Sequence, residues 1–244
     1  MRFTIAASLA ALFALPSVAS AEGFEAIVIG NADVNGSHFY MVSLRQDLRF
    51  GEAVDAATSG RNAASGLRLR FDASQSTYES DYDATPGTGT GKTYRLLLSY
   101  GFSVDADLTM TLTGGLSHRT DTVRPVTLSS PADEAKTAEF VSLDLEYSPS
   151  SFGALQALIE HDGSGANFAS ATYLINVGQN FRIGPTVNYV AEGDYSRDAY
   201  GISALYVNGD QFEIKATLAN ASQVVGSSAA VDVDYLELQL RTTF

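Results

Sequence analysis

Residues 234–244 read DYLELQLRTTF. Leu236, Leu238, Leu240, Thr242 and Phe244 fall on one parity, and Tyr235, Glu237, Gln239, Arg241 and Thr243 on the other. Strict alternation over ten residues places one set on each side of a β-strand. The polar set carries full charges in mid-strand, while the apolar set is nearly pure Leu and Phe.

The same period-two pattern recurs upstream. In 65–74, Leu67, Leu69 and Phe71 oppose Arg68, Arg70 and Asp72. In 138–147, Val141, Leu143, Leu145 and Tyr147 oppose Ser142, Asp144 and Glu146. In 211–220, Phe212, Ile214 and Leu218 oppose Glu213, Lys215 and Thr217. Helical periodicity is nearly missing. Twelve segments satisfy the pattern, near 24–30, 37–46, 65–76, 92–103, 106–119, 137–147, 152–161, 166–177, 180–190, 198–208, 211–222 and 233–244. Most exceed the usual soluble strand of about 5–6 residues. They match the ~9–11 residues that a tilted strand needs to cross a bilayer.

The expected fold is therefore all-β: a transmembrane antiparallel up-and-down β-barrel of about twelve strands, spanning 22–244. Closure satisfies every backbone group, which a bilayer demands. Short connections at 104–105, 148–151, 178–179 and 209–210 alternate with longer polar ones at 77–91, 120–136, 191–197 and 222–232. Short turns on one side and long loops on the other are the habit of outer-membrane barrels. The connection 47–64 is long on the short-turn side and stands as an insertion or a displaced strand boundary. A soluble all-β domain in the periplasm or outside the cell is the competing fold.

Residues 1–21 have the makeup of a secretory signal peptide. Arg2 is the positive start, FTIAASLAALFAL the apolar stretch, and Ala19-Ser20-Ala21 the small-residue cleavage site. With the barrel, this predicts the outer membrane of a Gram-negative bacterium. Cysteine is absent, which excludes disulfides and thiolate metal sites. The net charge of −13 excludes binding of nucleic acid as a polyanion.

Strand parity assigns a charged lumen: Arg45, Arg68, Arg70, Asp72, Arg95, Arg119, Asp144, Glu146, Glu160, Arg182, Glu213, Lys215, Glu237 and Arg241. Most other acids, among them Asp121, Asp162 and Glu192, fall in expected loops. Lumen charges of both signs have two readings: cross-strand ion pairs that stiffen a narrow barrel, or an arginine-lined selective pore. Tyr40, Tyr100, Phe102, Tyr147, Phe181, Tyr189, Tyr200, Tyr206 and Phe212 lie near strand ends on the apolar parity, as interfacial girdles require.

Chemistry on covalent bonds is not expected, and neither a cofactor nor a metal is. G-x-S-x-G is absent. The nearest approach to a lipid hydrolase is Ser117-His118 with Asp121, or His161-Asp162 with Ser164. ATPGTGTGKT at 84–93 has Pro86 where a phosphate-binding loop needs its first glycine, and strands on both sides, so it reads as an exposed Gly/Thr loop. Gly184-Pro185 inside a strand predicts a bulge or kink.

The segment 178–222, with Gly184-Pro185, then Arg197 and Gly201, then Phe212-Glu213-Ile214, resembles the C-terminal part of the cellulose biosynthesis protein BcsS family. Residues 92–116 resemble a hairpin of that family, and Thr186 departs from its pattern. The resemblance implies an outer-membrane accessory factor of cellulose or exopolysaccharide biosynthesis or export, with export components of the cellulose synthase as partners. It transfers no catalytic residue. The last residues also resemble the C-terminal signal of outer-membrane proteins. By that resemblance Leu236, Leu238, Leu240 and Phe244 are read by the barrel-assembly machinery, and membrane lipid surrounds the wall. A small-solute porin-like channel and, more remotely, an outer-membrane lipid hydrolase are the competing functions.

Overall fold

The computed structural model describes residues 23–34, 36–48, 66–82, 85–124, 133–149, 153–193, 195–209, 211–225 and 230–244. The signal-peptide reading of 1–21 and nearly all of the 47–64 connection lie outside them. Twelve strands form one closed antiparallel barrel, each paired with its sequence neighbours and the last with the first. They are β1 (Phe24–Asp33), β2 (His38–Leu48), β3 (Gly66–Tyr82), β4 (Thr85–Ser103), β5 (Leu108–Arg124), β6 (Glu134–Tyr147), β7 (Ala154–Asp162), β8 (Ala166–Asn176), β9 (Phe181–Glu192), β10 (Tyr195–Asn208), β11 (Phe212–Val225) and β12 (Val231–Thr243).

The register staggers strongly. Hydrogen-bonded partners followed from Glu25 run through Arg45, Arg70, Leu97, Gly115, Phe140, Asp162, Ala166, Glu192 and Tyr195 to Val225, at the far end of β11. In the other direction Ala26 meets Thr242, and Thr242 meets Phe212, at the near end of β11. The offset of about 14 residues sets a strand tilt of roughly 40° and a backbone radius of about 11 Å. That interior is wider than an eight-stranded barrel, which side chains alone can fill.

The wall is apolar outside and polar inside, the reverse of a soluble protein. Leu96, Leu98, Leu112, Leu116, Leu143, Ile159, Val187, Ile202 and Leu218 all lie exposed on the outer face, while Ser99, Thr113, Ser142, Thr172, Ser203 and Thr217 are buried on the inner one. An exposed apolar band of that extent belongs in lipid. Exposed Tyr100, Tyr147, Phe181, Tyr206 and Phe244 edge it at the end where β1 starts and β12 finishes, and Tyr94, Tyr189 and Tyr200 edge it at the other. Such aromatic rims sit at the two membrane interfaces. The molecule is an outer-membrane β-barrel, with the start of β1 and the end of β12 at its periplasmic end.

The outer end departs from expectation. Within the Gly/Thr stretch 77–91, residues 77–82 and 85–91 are strand and not loop: β3 and β4 stay paired, with Thr77 opposite Thr90 and Ser76 opposite Gly91. β5 lengthens this to three strands, since Thr90 also pairs with Thr122. Gly89 is needed because the Tyr78 ring lies flat against it; a Cβ there would sit 2.1 Å from that ring. The expected loop 191–197 likewise shrinks to a tight connection, because Glu192 pairs directly with Tyr195. Turn-type residues in these stretches hid strands that outrun the membrane.

Pro185 produces no bulge. The register between β8 and β9 is the same before and after it, at Thr172–Thr186 and Ile175–Ile183. The ladder between those points is interrupted, and a Cβ on Gly184 would come within 1.8 Å of the Tyr173 carbonyl oxygen. Glycine here permits a close strand approach that the proline's missing donor leaves unbonded.

Candidate functional site

All the lumen charges expected from parity project from the inner face, because each shares that face with its ladder partners: Glu25 with Arg45, Arg70 with Leu97, Thr111 with Asp144, and Lys215 with Gln239. They form tiers.

At the periplasmic end, Glu25 binds both Arg45, at 3.0 Å, and Arg241, at 2.6 Å. Arg241 also approaches Glu213 at 3.5 Å. Beside them Arg68 bonds Asp47 at 2.7 Å. Arg182 lies opposite Asn176 and Leu205, and Glu146 lies opposite Gln156.

Above this tier runs a belt of small hydroxyls. Ser99–Thr113, Thr172–Thr186 and Ser203–Thr217 are directly opposed, hydrogen-bonded pairs at 2.8, 2.8 and 2.7 Å. Each satisfies both buried partners without charge. Arg70 bonds Asp72 at this height, at 2.8 Å. Lys215 donates to Thr172 Oγ1 at 3.2 Å, three strands away. Glu160, opposite Ser142, and Glu237, opposite Thr217, line the same region. Asp144 is exposed although it faces inward, so water reaches the middle of the lumen.

The outer tier is bridged from wall to wall. Arg95 of β4 reaches Asp162 of β7 at 3.6 Å and lies 4.4 Å from the Phe140 ring centre. Arg119 of β5 holds Asp121 at 2.7 Å and also binds Glu192 of β9. Asn188 of β9 donates to the Tyr235 hydroxyl of β12 at 2.6 Å. Arg197 lies over the Tyr235 ring at 4.8 Å. Arg119–Asp121 lies within β5; the other contacts join strands that are not neighbours in the wall.

The acids that complete these pairs were the part missed by sequence reasoning. Asp121, Asp162 and Glu192 count there as loop acids, yet they face inward and bind arginines. Arg197 was placed in a loop as well. Continuing the alternation one or two residues past the expected strand ends finds all four. With them the inner face carries more acid than the eight basic and six acidic residues that parity assigns to it.

The serine–histidine sets do not assemble. Ser117 is 1% exposed and faces inward, whereas His118, the next residue on the same strand, faces out and shares a 2.9 Å hydrogen bond with Thr137. His161 shares one with Asn167 at 2.8 Å, while Asp162 binds the Ser164 backbone at 3.0 Å. His38 donates to the Gly36 carbonyl at 3.1 Å.

The barrel is similar to solved outer-membrane structures. An outer-membrane channel from Pseudomonas putida F1 is 11% identical, with a TM-score of 0.56 over 92% of this chain and 96% of that one. A deletion mutant of TodX, a monoaromatic hydrocarbon channel, is 8% identical, with a TM-score of 0.52 over 92% of this chain and 91% of that one. The transport unit of the autotransporter AIDA-I from Escherichia coli is 10% identical, with a TM-score of 0.50 over 91% and 90%. At such identities the likeness is one of fold. No family model matches the chain, and no curated protein does.

Proposed function

We propose that this outer-membrane barrel is an accessory factor of cellulose or related exopolysaccharide production, and not an open general porin. The observation that carries the second half is the bridged outer tier: Arg119–Glu192, Arg95–Asp162 and Asn188–Tyr235 cross the lumen where a porin keeps it clear. The polysaccharide half draws its support from the resemblance over 178–222. Within that segment, Gly184 and Gly201 permit close strand approach, and Arg197 and Glu213 face the lumen. No step on covalent bonds is assigned to any residue.

The test has two arms. Deletion should abolish or reduce glucan staining of colonies, and the purified protein in a planar bilayer should give no stable open state. A large, steady conductance with unchanged glucan would overturn the proposal. A narrow small-solute channel is the second reading, favoured by the water-accessible Asp144.

A further inference from the structure

Tyr94 marks the outer edge of the lipid band, and Lys92 stands beyond it on the same outward face of β4. Lys92 is therefore at the height of the lipid headgroups. Its side chain is exposed, and among the described residues it has neither an ion pair nor a hydrogen bond. Its ladder partners, Gln75 of β3 and Thr120 of β5, are neutral. Thr90 lies above it on the same strand. His118 lies opposite Tyr94 and engages Thr137 through Nδ1.

The charge around this lysine is out of keeping with a chain whose net charge is −13. The outward positions of 88–102 in β4 and of 108–124 in β5 include no acid. Arg124 is the other cation of that face, and Asp133 neutralises it at 2.7 Å. Half-way round the barrel the signs reverse. Asp198 lies opposite the rim residue Tyr189, and Asp234 opposite Asn220; both acids are outward and exposed. No outward position of β10, β11 or β12 is basic. In the headgroup layer, then, one flank is basic and the opposite flank acidic.

We propose that the outward face of β4 and β5 at Lys92 binds a phosphoryl group of the phosphorylated glycolipid that forms the outer leaflet of this membrane. An ammonium is a compact charge with three donors for phosphate oxygens, and a cation without a counter-ion in the headgroup layer attracts anionic lipid. The amide and hydroxyl neighbours offer donors to the glycan without repelling its phosphate. Above them Thr90 pairs with Thr122, so the wall beside the headgroup is fixed sheet. The acidic flank offers no such contact, which confines the bound lipid to one side. The proposal rests on the membrane position and is independent of what the lumen passes.

Thermophoresis of the detergent-solubilised full chain tests it, with EDTA present so that divalent cations cannot bridge acid to phosphate. The probes are diphosphoryl lipid A and the same acylated disaccharide without phosphates. The phosphorylated form should bind at least about fivefold more tightly. Lys92→Gln should weaken its binding by about fivefold, the effect of one lysine beside an anionic surface, and leave the phosphate-free form unaffected. Lys92→Arg, which keeps the charge, should retain the affinity. Lys136→Gln removes an equal charge from the inward face of β6, opposite Arg119, and should leave the affinity unchanged. Equal binding of the two lipids, binding of neither, or the same loss in Lys92→Gln and Lys136→Gln would overturn the proposal.

Discussion

Glu25 and Arg241 stand 216 positions apart in the chain and 2.6 Å apart in the barrel. Their pair spans the β1–β12 seam, where the last strand meets the first. A second arginine, Arg45, holds the same carboxylate from β2. One acid thus ties three consecutive strands at the point of closure. Phe244 adds a backbone bond to the Phe24 carbonyl at 2.9 Å and a ring contact at 6.0 Å.

Glu25→Gln should therefore loosen closure by about 3 kcal/mol, because it leaves two arginines without their shared anion. The measure is the urea midpoint of refolding into detergent, read by the heat-modifiable shift on gels. Glu25→Gln with Arg241→Gln should cost less than the two single changes added together, as expected of partners in contact.

Removing the outer bridge should open the lumen. Arg119→Ala deletes the contact that joins β5 to β9, and single-channel recording should show a higher conductance than the unmodified barrel. An unchanged trace would mean that the bridge does not limit passage.

The membrane position is testable from the outside. Leu96 is 60% exposed on the apolar band, so Leu96→Arg should destabilise by about 2–4 kcal/mol. Thr90→Arg, on the same face of β4 but beyond the aromatic rim, should cost about 0–1 kcal/mol. Equal costs would place the lipid boundary elsewhere.

Gly184→Ala should destabilise by about 2 kcal/mol, the usual effect of forcing one carbon into a packed contact. Gly178, in the turn between β8 and β9, has open space around it, and Gly178→Ala should stay within about 0.5 kcal/mol. Denaturant midpoints of the two variants give the comparison.

At the tip of β5, two hydrogen bonds from Arg124 reach Asp133 at 2.9 and 2.7 Å and hold its carboxyl below the usual value. A depressed folded pKa stabilises above the unfolded value and loses its effect as pH falls through the folded one. The pair should thus persist at neutral pH and open only below the ordinary aspartate range. Arg124→Gln should return the Asp133 titration, followed by carboxyl NMR, toward 3.8 with no change in the global midpoint, since both side chains are exposed.

Alternation made the barrel legible because lipid on one side and water on the other impose the same two-residue rhythm on every strand. The inner face of Arg45, Asp144 and Lys215 followed directly. The rhythm fades beyond the bilayer, where both faces are wet, and Thr88, Thr90 and Thr122 then look like loop residues. Pairing partners were beyond reach for a different reason. Arg119 finds Glu192 through the curvature and stagger of the closed wall, and no local spacing encodes that.

The three-stranded extension of β3, β4 and β5 has a consequence for whatever meets the cell from outside. A loose loop offers a protease an extended backbone and an antibody a linear peptide. Here both would meet a pre-formed sheet whose amides are already paired. Recognition of this side of the barrel would depend on conformation, and a peptide copied from residues 77–91 would make a poor immunogen for the intact surface.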